Sequence, residues 1–176
     1  TGPWKNKPAY DVIVQALGGM MSLTGYEGHP PVRVGSSIGD ITAGLFTVIG
    51  IQAALLDRTT SNKGAHIDIS MLDCQIAILE NAISRFYSEK KIPKKLGSRH
   101  PSISPFEAYK CKDNYIVVAA GNDNLFEQFC NCLNIKLLLN NKDFNKNDKR
   151  LKNAEKLKTI IEKALKKNNA NYWIKK

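Results

Sequence analysis

Apolar positions along the first part of the chain fall into short helix-spaced and strand-spaced groups separated by glycine and proline. After a loop-like opening with Gly2, Pro3 and Pro8, Asp11 stands before Val12-Ile13-Val14-Gln15-Ala16-Leu17. That order predicts an N-cap followed by the first turns of a helix, weakened at Gly18-Gly19 and ended by Gly25. Gly28-His29-Pro30-Pro31 reads as irregular, and Val32-Arg33-Val34 as a short extended piece. Gly35 to Asp40 then leads into a run from Ile41 to Leu56 that is apolar on nearly every side. The run is shorter than the roughly 20 residues a membrane span needs, so it predicts a buried helix. Ala43, Gly44, Gly50, Ala53 and Ala54 would let other elements approach it closely, and Asp57-Arg58 ends it.

Past a turn at Ser61-Asn62-Lys63-Gly64, the segment Ala65-His66-Ile67-Asp68-Ile69-Ser70 alternates as a strand does. Met71 to Tyr87 returns to helical spacing, with Leu72, Ile76, Leu79, Ile83 and Phe86 on one stripe. Helix, strand and helix in that order predict an α/β fold. A basic linker with Pro93 follows, and it marks a domain boundary: residues 1–88 form one part, 89–104 the linker and 105–176 a second part. In the second part Ser104 to Lys110 and Tyr115 to Ala120 predict a hairpin around Lys112-Asp113-Asn114. Asp123 begins a helix carrying Leu125, Phe126 and Phe129, and Lys152 to Lys167 predicts another. The terminal Tyr172-Trp173-Ile174 forms an apolar patch that needs cover.

Charge changes at the linker. Residues 1–88 hold 6 Lys/Arg and 7 Asp/Glu, whereas residues 89–176 hold 20 and 9, so the net +10 sits wholly in the second part. A basic surface of that kind suits nucleic acid or another anionic partner. Against nucleic acid, 13 Asn are scattered through residues 114–171 with no interleaved aromatic platforms. The bland alternative is a Lys- and Asn-rich solvated face. With 43% apolar and 24% charged residues the chain can bury a core. Its opening residues are not a signal peptide, so the expected compartment is the cytoplasm and the thiols of Cys74, Cys111, Cys130 and Cys132 are expected to be reduced. No Cys/His spacing suits zinc, so no metal is expected. There is neither a Gly-x-Ser-x-Gly elbow nor a Walker loop.

Asp40 is the most informative residue, lying between the Gly-rich turn and the apolar helix. One reading is an N-cap that satisfies free N–H groups. The other uses the same position for chemistry, because a helix N-terminus stabilises the carboxylate as an anion and Ser37 and Gly39 leave room for a ligand. A carboxylate is a weak nucleophile, yet sufficient against a thioester when positioned and desolvated.

Several blocks together resemble the class III CoA-transferases, the CaiB/BaiF family. They are Thr1-Gly2-Pro3 with Tyr10 to Gly25, Pro30 to Gly35 with Ser37 to Gly44, Gly64 to Asp73, and Ser102 to Tyr109 with Asp113 to Asn122. The resemblance implies part of a large Rossmann-like domain plus part of a small α+β domain, in a chain less than half the family length, read as an internal fragment. It places the family's nucleophilic aspartate on Asp40. That residue would attack an acyl-CoA thioester to give a mixed anhydride, then carry CoA as an aspartyl thioester to a small carboxylic acid. Tyr10 and Asp11 match positions beside the aspartate, Met71 a position near the bound thioester, and Lys7 a segment that contacts CoA. Coenzyme A and acyl-CoA would be substrates, with no permanently bound cofactor. The full-length protein would be an interlocked homodimer.

Two departures bear on the reaction. The family's racemase branch has histidine where this chain has Tyr10, which favours CoA transfer over α-methylacyl-CoA racemisation. Gly97 to Ile103 is similar to the branch that uses succinate and glutarate, and Arg99 and His100 could pair with a distal carboxylate. A solvated linker charge and a capping histidine are the alternatives there. A non-enzymatic basic binding module remains the alternative for the second part.

Overall fold

The computed structural model describes residues 2–176; Thr1, which opens the first family block, lies outside them. The chain divides into two compact units, one running to Gly97 and the other spanning Ser98–Lys176. Within them a mostly helical first unit and a helical unit with one small antiparallel sheet are seen.

The first unit holds α1 (Asp11–Leu17), α2 (Met20–Leu23), α3 (Ile38–Ser61), α4 (Met71–Ala77) and α5 (Asn81–Glu89). Gly19 breaks the predicted first helix in two, because it adopts φ 89°, a left-handed value that glycine takes at little cost. The third predicted helix, Met71 to Tyr87, is also divided, at Glu80 with φ 49°. Ser70 caps α4 by accepting the Asp73 N–H at 3.3 Å.

α3 departs furthest from expectation. It runs 24 residues, past Asp57-Arg58, and closes at Asn62 in the left-handed conformation. By length and composition it is long enough and apolar enough to cross a membrane, which corrects the reading of too short a run. Nor is it a buried helix: only Gly39 and Thr42 are buried along it, while Leu45 is 60% and Ile49 58% exposed. Its neighbours cover one side only. There Gly50 admits the 65–70 segment, since a Cβ on it would meet Ile67 Cγ2 at 3.0 Å.

That segment is not a strand. Ile67 and Ile69 are half-buried while His66 and Asp68 are exposed, so the alternation is real. No strand pairs with it among the described residues, and the sheet is confined to the second unit. The predicted strand is thus corrected to an extended segment, because periodicity sets which side chains face inward but cannot supply a partner for the backbone.

In the second unit, β1 (Phe106–Lys110) and β2 (Tyr115–Ala119) pair antiparallel with Ala108 opposite Val117. They are followed by α6 (Asp123–Leu133), a 3-10 turn at Lys136–Leu138, α7 (Asn147–Lys152), α8 (Ala154–Leu165) and α9 (Ala170–Lys175). Phe126, Cys130, Leu157, Ile161 and Leu165 form the centre of the core. Glu107 and Tyr109 are the inward residues of β1; Lys158 pairs with Glu107, and burial raises the Tyr109 hydroxyl above its usual pKa. Burial likewise pushes the Cys130 thiol up to about 11, which leaves it unreactive at neutral pH. Trp173 of the terminal patch is anchored, its Nε1 donating to Leu165 O at 2.7 Å, whereas Ile174 is exposed.

Arg150 organises this unit from a buried position, 1% exposed. Its Nε donates to Ser104 O at 2.6 Å, Nη1 to Phe144 O at 3.1 Å and Nη2 to Asp123 Oδ1 at 2.8 Å. Its guanidinium also stacks 4.3 Å from the Phe126 ring centre. Asp123 is the first residue of α6, as expected, and Asn122 caps the helix by accepting the Leu125 N–H at 2.9 Å. Asp113 ties the hairpin turn to α9 by accepting the Ala170 N–H at 2.8 Å.

These two carboxyls give the unit an acid-sensitive stability. The hydrogen bond from Arg150 lowers the Asp123 pKa, and the bond from Ala170 N–H lowers that of Asp113. A carboxyl that binds protons less readily when folded stabilises fully above its unfolded value, near pH 4. Its contribution is lost as pH falls through the lower native value. Denaturant unfolding of the full-length protein between pH 2 and pH 7 checks this. Asp113→Asn is expected to lower stability at pH 7 and to match the parent near pH 2; an equal loss at both ends contradicts it.

Candidate active site

The first turn of α3 is held by a side chain from another helix. Tyr10 takes the N-cap position of α1, and Asp11, expected there, is instead the first helical residue. The Asp11 carboxylate accepts the Gly39 N–H at 2.9 Å. It thus satisfies one of the free donors at the start of α3, where Ser37 makes no side-chain cap. A Cβ on Gly39 would lie 3.2 Å from Asp11 Oδ1, so glycine permits the approach.

Two further residues fix that carboxylate. Gln15 Nε2 donates to both Asp11 oxygens, at 3.1 and 2.9 Å, and its Oε1 accepts the Val34 N–H at 2.8 Å. Arg33 Nη2 lies 4.0 Å from Asp11 Oδ2 and also donates to Gly35 O at 2.8 Å. The loop from Arg33 to Ser37 is thereby folded around the Asp11–Gln15 pair. Sequence reading missed both partners. Gln15 carries a signal, since residues four apart on a helix face one another; Arg33, between two valines, carries none.

Asp40 sits inside the first turn of α3, not at its cap, and is exposed. It makes no hydrogen bond or ion pair among the described residues. The capping reading of Asp40 is therefore corrected, with Asp11 performing that duty. The carboxylate at 40 stays in the favourable field of a 24-residue helix with no structural partner to occupy it.

The first unit also holds an open cavity of about 840 Å³, lined by Lys5, Lys7, Tyr10, Ile69, Met71 and neighbours. Its volume suits a ligand of moderate size. It gathers Lys7, Tyr10 and Met71 into one place, as three of the sequence candidates would require. Asp11 and Asp40 are not among its lining residues. Asp11 follows the lining residue Tyr10 in the chain, and its bond to the Gly39 N–H ties it to the residue before Asp40. Tyr10 is 71% exposed and Lys7 is exposed as well, so both are accessible to a ligand.

Arg99 and His100 belong to the second unit, and their partners are there. Arg99 Nη1 pairs with Glu155 Oε1 at 2.9 Å. His100 Nδ1 accepts the Ser102 N–H at 3.2 Å while its ring packs 5.1 Å from Phe106. Among the described residues no group of three or more His, Cys, Asp or Glu could hold a metal ion.

Comparison with known proteins gives this arrangement a family. The profile described as CoA-transferase family III matches residues 1–176. The acetyl-CoA:oxalate CoA-transferase of Acetobacter aceti is 41% identical over 175 residues, covering 99% of this chain and 45% of that protein. The succinate–glutarate CoA-transferase of Agrobacterium fabrum is 36% identical over 161 residues, covering 92% of this chain and 40% of that protein. A CaiB/BaiF family protein from Brucella suis superposes with a TM-score of 0.83 at 34% identity, over 99% of this chain and 46% of its own. Rv3272 from Mycobacterium tuberculosis shares the fold, with a TM-score of 0.86 at 21% identity. The chain spans less than half the length of the relatives it matches, and along its whole extent it belongs to CoA-transferase family III.

Proposed function

We propose that the full-length protein moves coenzyme A from an acyl-CoA to a small carboxylic acid, with Asp40 as the group that is acylated. The observation that carries this reading is the division of labour between two carboxylates. Asp11 is consumed by Gly39, Gln15 and Arg33, whereas Asp40, one residue from the clamp, is exposed and unbonded.

The chemistry balances without an external oxidant, reductant or nucleotide. A carboxylate oxygen of Asp40 attacks the thioester carbonyl; the C–O bond forms, the C–S bond breaks and CoA leaves as thiolate. The thiolate then attacks the aspartyl carbonyl of the mixed anhydride. That releases the first acid as its carboxylate and leaves an aspartyl-CoA thioester. The acceptor carboxylate attacks this thioester, CoA leaves again, and its return to the acceptor acyl carbon frees Asp40. One thioester is consumed and one is formed. Lys7 suits the CoA phosphates by charge, while Tyr10 and Met71 suit the thioester region by their place in the shared cavity.

For the acceptor we propose a dicarboxylate. The relatives that act on oxalate, succinate and glutarate support it. Arg99 supports it less, since Glu155 already pairs with its guanidinium and would have to be exchanged for substrate. A cytoplasmic homodimer completes the proposal, and the uncovered apolar side of α3 supports the need for a further surface against it.

Trapping the acyl-enzyme tests the reading. Full-length protein turning over acyl-CoA is quenched with hydroxylamine and digested for mass spectrometry. A hydroxamate on Asp40 is the expected product. Turnover with no modification at position 40 sinks the assignment.

A further inference from the structure

Gln75 on α4 is fully buried, yet neither its Nε2 nor its Oε1 has a hydrogen-bond partner among the described residues. A buried amide in that state costs stability, and an apolar side chain of similar shape would not. Its location is specific. A Cβ on Gly18, where α1 ends, would lie 2.6 Å from Gln75 Cγ. A Cβ on Gly39, where α3 begins, would lie 3.6 Å from Gln75 Oε1. Two glycines thus make room for one amide where three helices meet, and the amide ends against the residue that precedes Asp40. Gly39 is flanked by the Asp11 carboxylate and by this amide.

We infer that Gln75 is a positioning residue for Asp40, its amide setting the first turn of α3 at the expense of stability. The inference rests on the reading of Asp40 as the acylated group. An amide suits the task because it brings a dipole without net charge, so it meets Gly39 without disfavouring the nearby anion. Misdirecting an attacking oxygen by even a small distance slows a reaction steeply, whereas binding of the distant parts of CoA would be untouched.

The test uses the full-length protein with Gln75→Met and Gln75→Leu, which keep approximate volume and remove both polar atoms. Melting temperature at or above that of the parent is expected, together with kcat lowered roughly tenfold or more and KM for acyl-CoA within about twofold. An unchanged kcat overturns the inference, because the amide would then be packing alone. A lowered melting temperature also overturns it, because the amide would then have a stabilising partner. Failure of both variants to fold overturns it for the same reason; where they fold, Gln75→Asn, which keeps the amide on a shorter stem, is expected to lower kcat as well, and wild-type kcat in that variant overturns the inference. Asp40→Asn separates the two levels. Full activity in that variant removes the nucleophile itself, whereas an inactive Asp40→Asn beside fully active Gln75 variants removes only the positioning role.

Discussion

Asp40→Asn in the full-length protein is expected to slow CoA transfer between two acids by on the order of a thousandfold or more while leaving the fold unchanged. The two halves of that expectation come from separate observations. Asp40 makes no bond among the described residues and is exposed, so its replacement removes only its interaction with the helix field. That is worth about 0.3–1 kcal/mol at the surface. The lost covalent route raises the barrier by about 4 kcal/mol for each thousandfold. Chromatography of the CoA esters reads the rate, and thermal melting reads the fold. Transfer within about tenfold of the parent's rate would refute the role. Loss of activity accompanied by unfolding would show that position 40 is structural after all.

Arg150→Ala should have the largest effect on stability, about 2–4 kcal/mol, confined to the second unit, because two backbone carbonyls lose a buried donor. The change leaves Ser104 O and Phe144 O without this donor and leaves the half-exposed Asp123 with Lys146 as its remaining ion-pair partner. Arg150→Lys is expected to recover little, because an ammonium cannot span three acceptors and stack on Phe126 at once. Hydrogen exchange by mass spectrometry over residues 106–165 of the full-length protein measures it. Protection that survives Arg150→Ala would mean that the unit is held by its apolar core alone.

How far the chain could be read in advance depended on whether a feature was local. The hairpin was legible because both strands and their turn lie within fifteen residues, Phe106 to Ala120. Helix caps were not legible: Asp11 and Asp40 were read as caps, whereas Ser70 and Asn122 cap α4 and α6 in the structure. The cap of α3 lay beyond local reading, because Asp11 lies 28 residues from Gly39 and its reach depends on how α1 packs. Burial was misread for the same reason. An apolar run states what it would prefer to touch, and the 65–70 segment states which face it would hide, but neither specifies a neighbour. Arg150 stood unmarked in a lysine-rich stretch, although among the described residues it is the Lys or Arg side chain that lies buried. Asp40 was singled out through the Gly-Asp-Ile setting and the family blocks around it. Its freedom from structural duty appeared only with the three-dimensional arrangement.

The uncovered flank of α3 has a consequence for synthesis. Translation delivers Leu45, Val48, Ile49 and Leu55 from the ribosome early, and no described residue covers them. Exposed apolar surface of that kind is where nascent chains stick to one another. Yield in a cell should therefore follow chaperone capacity more closely than the melting temperature of the finished protein does.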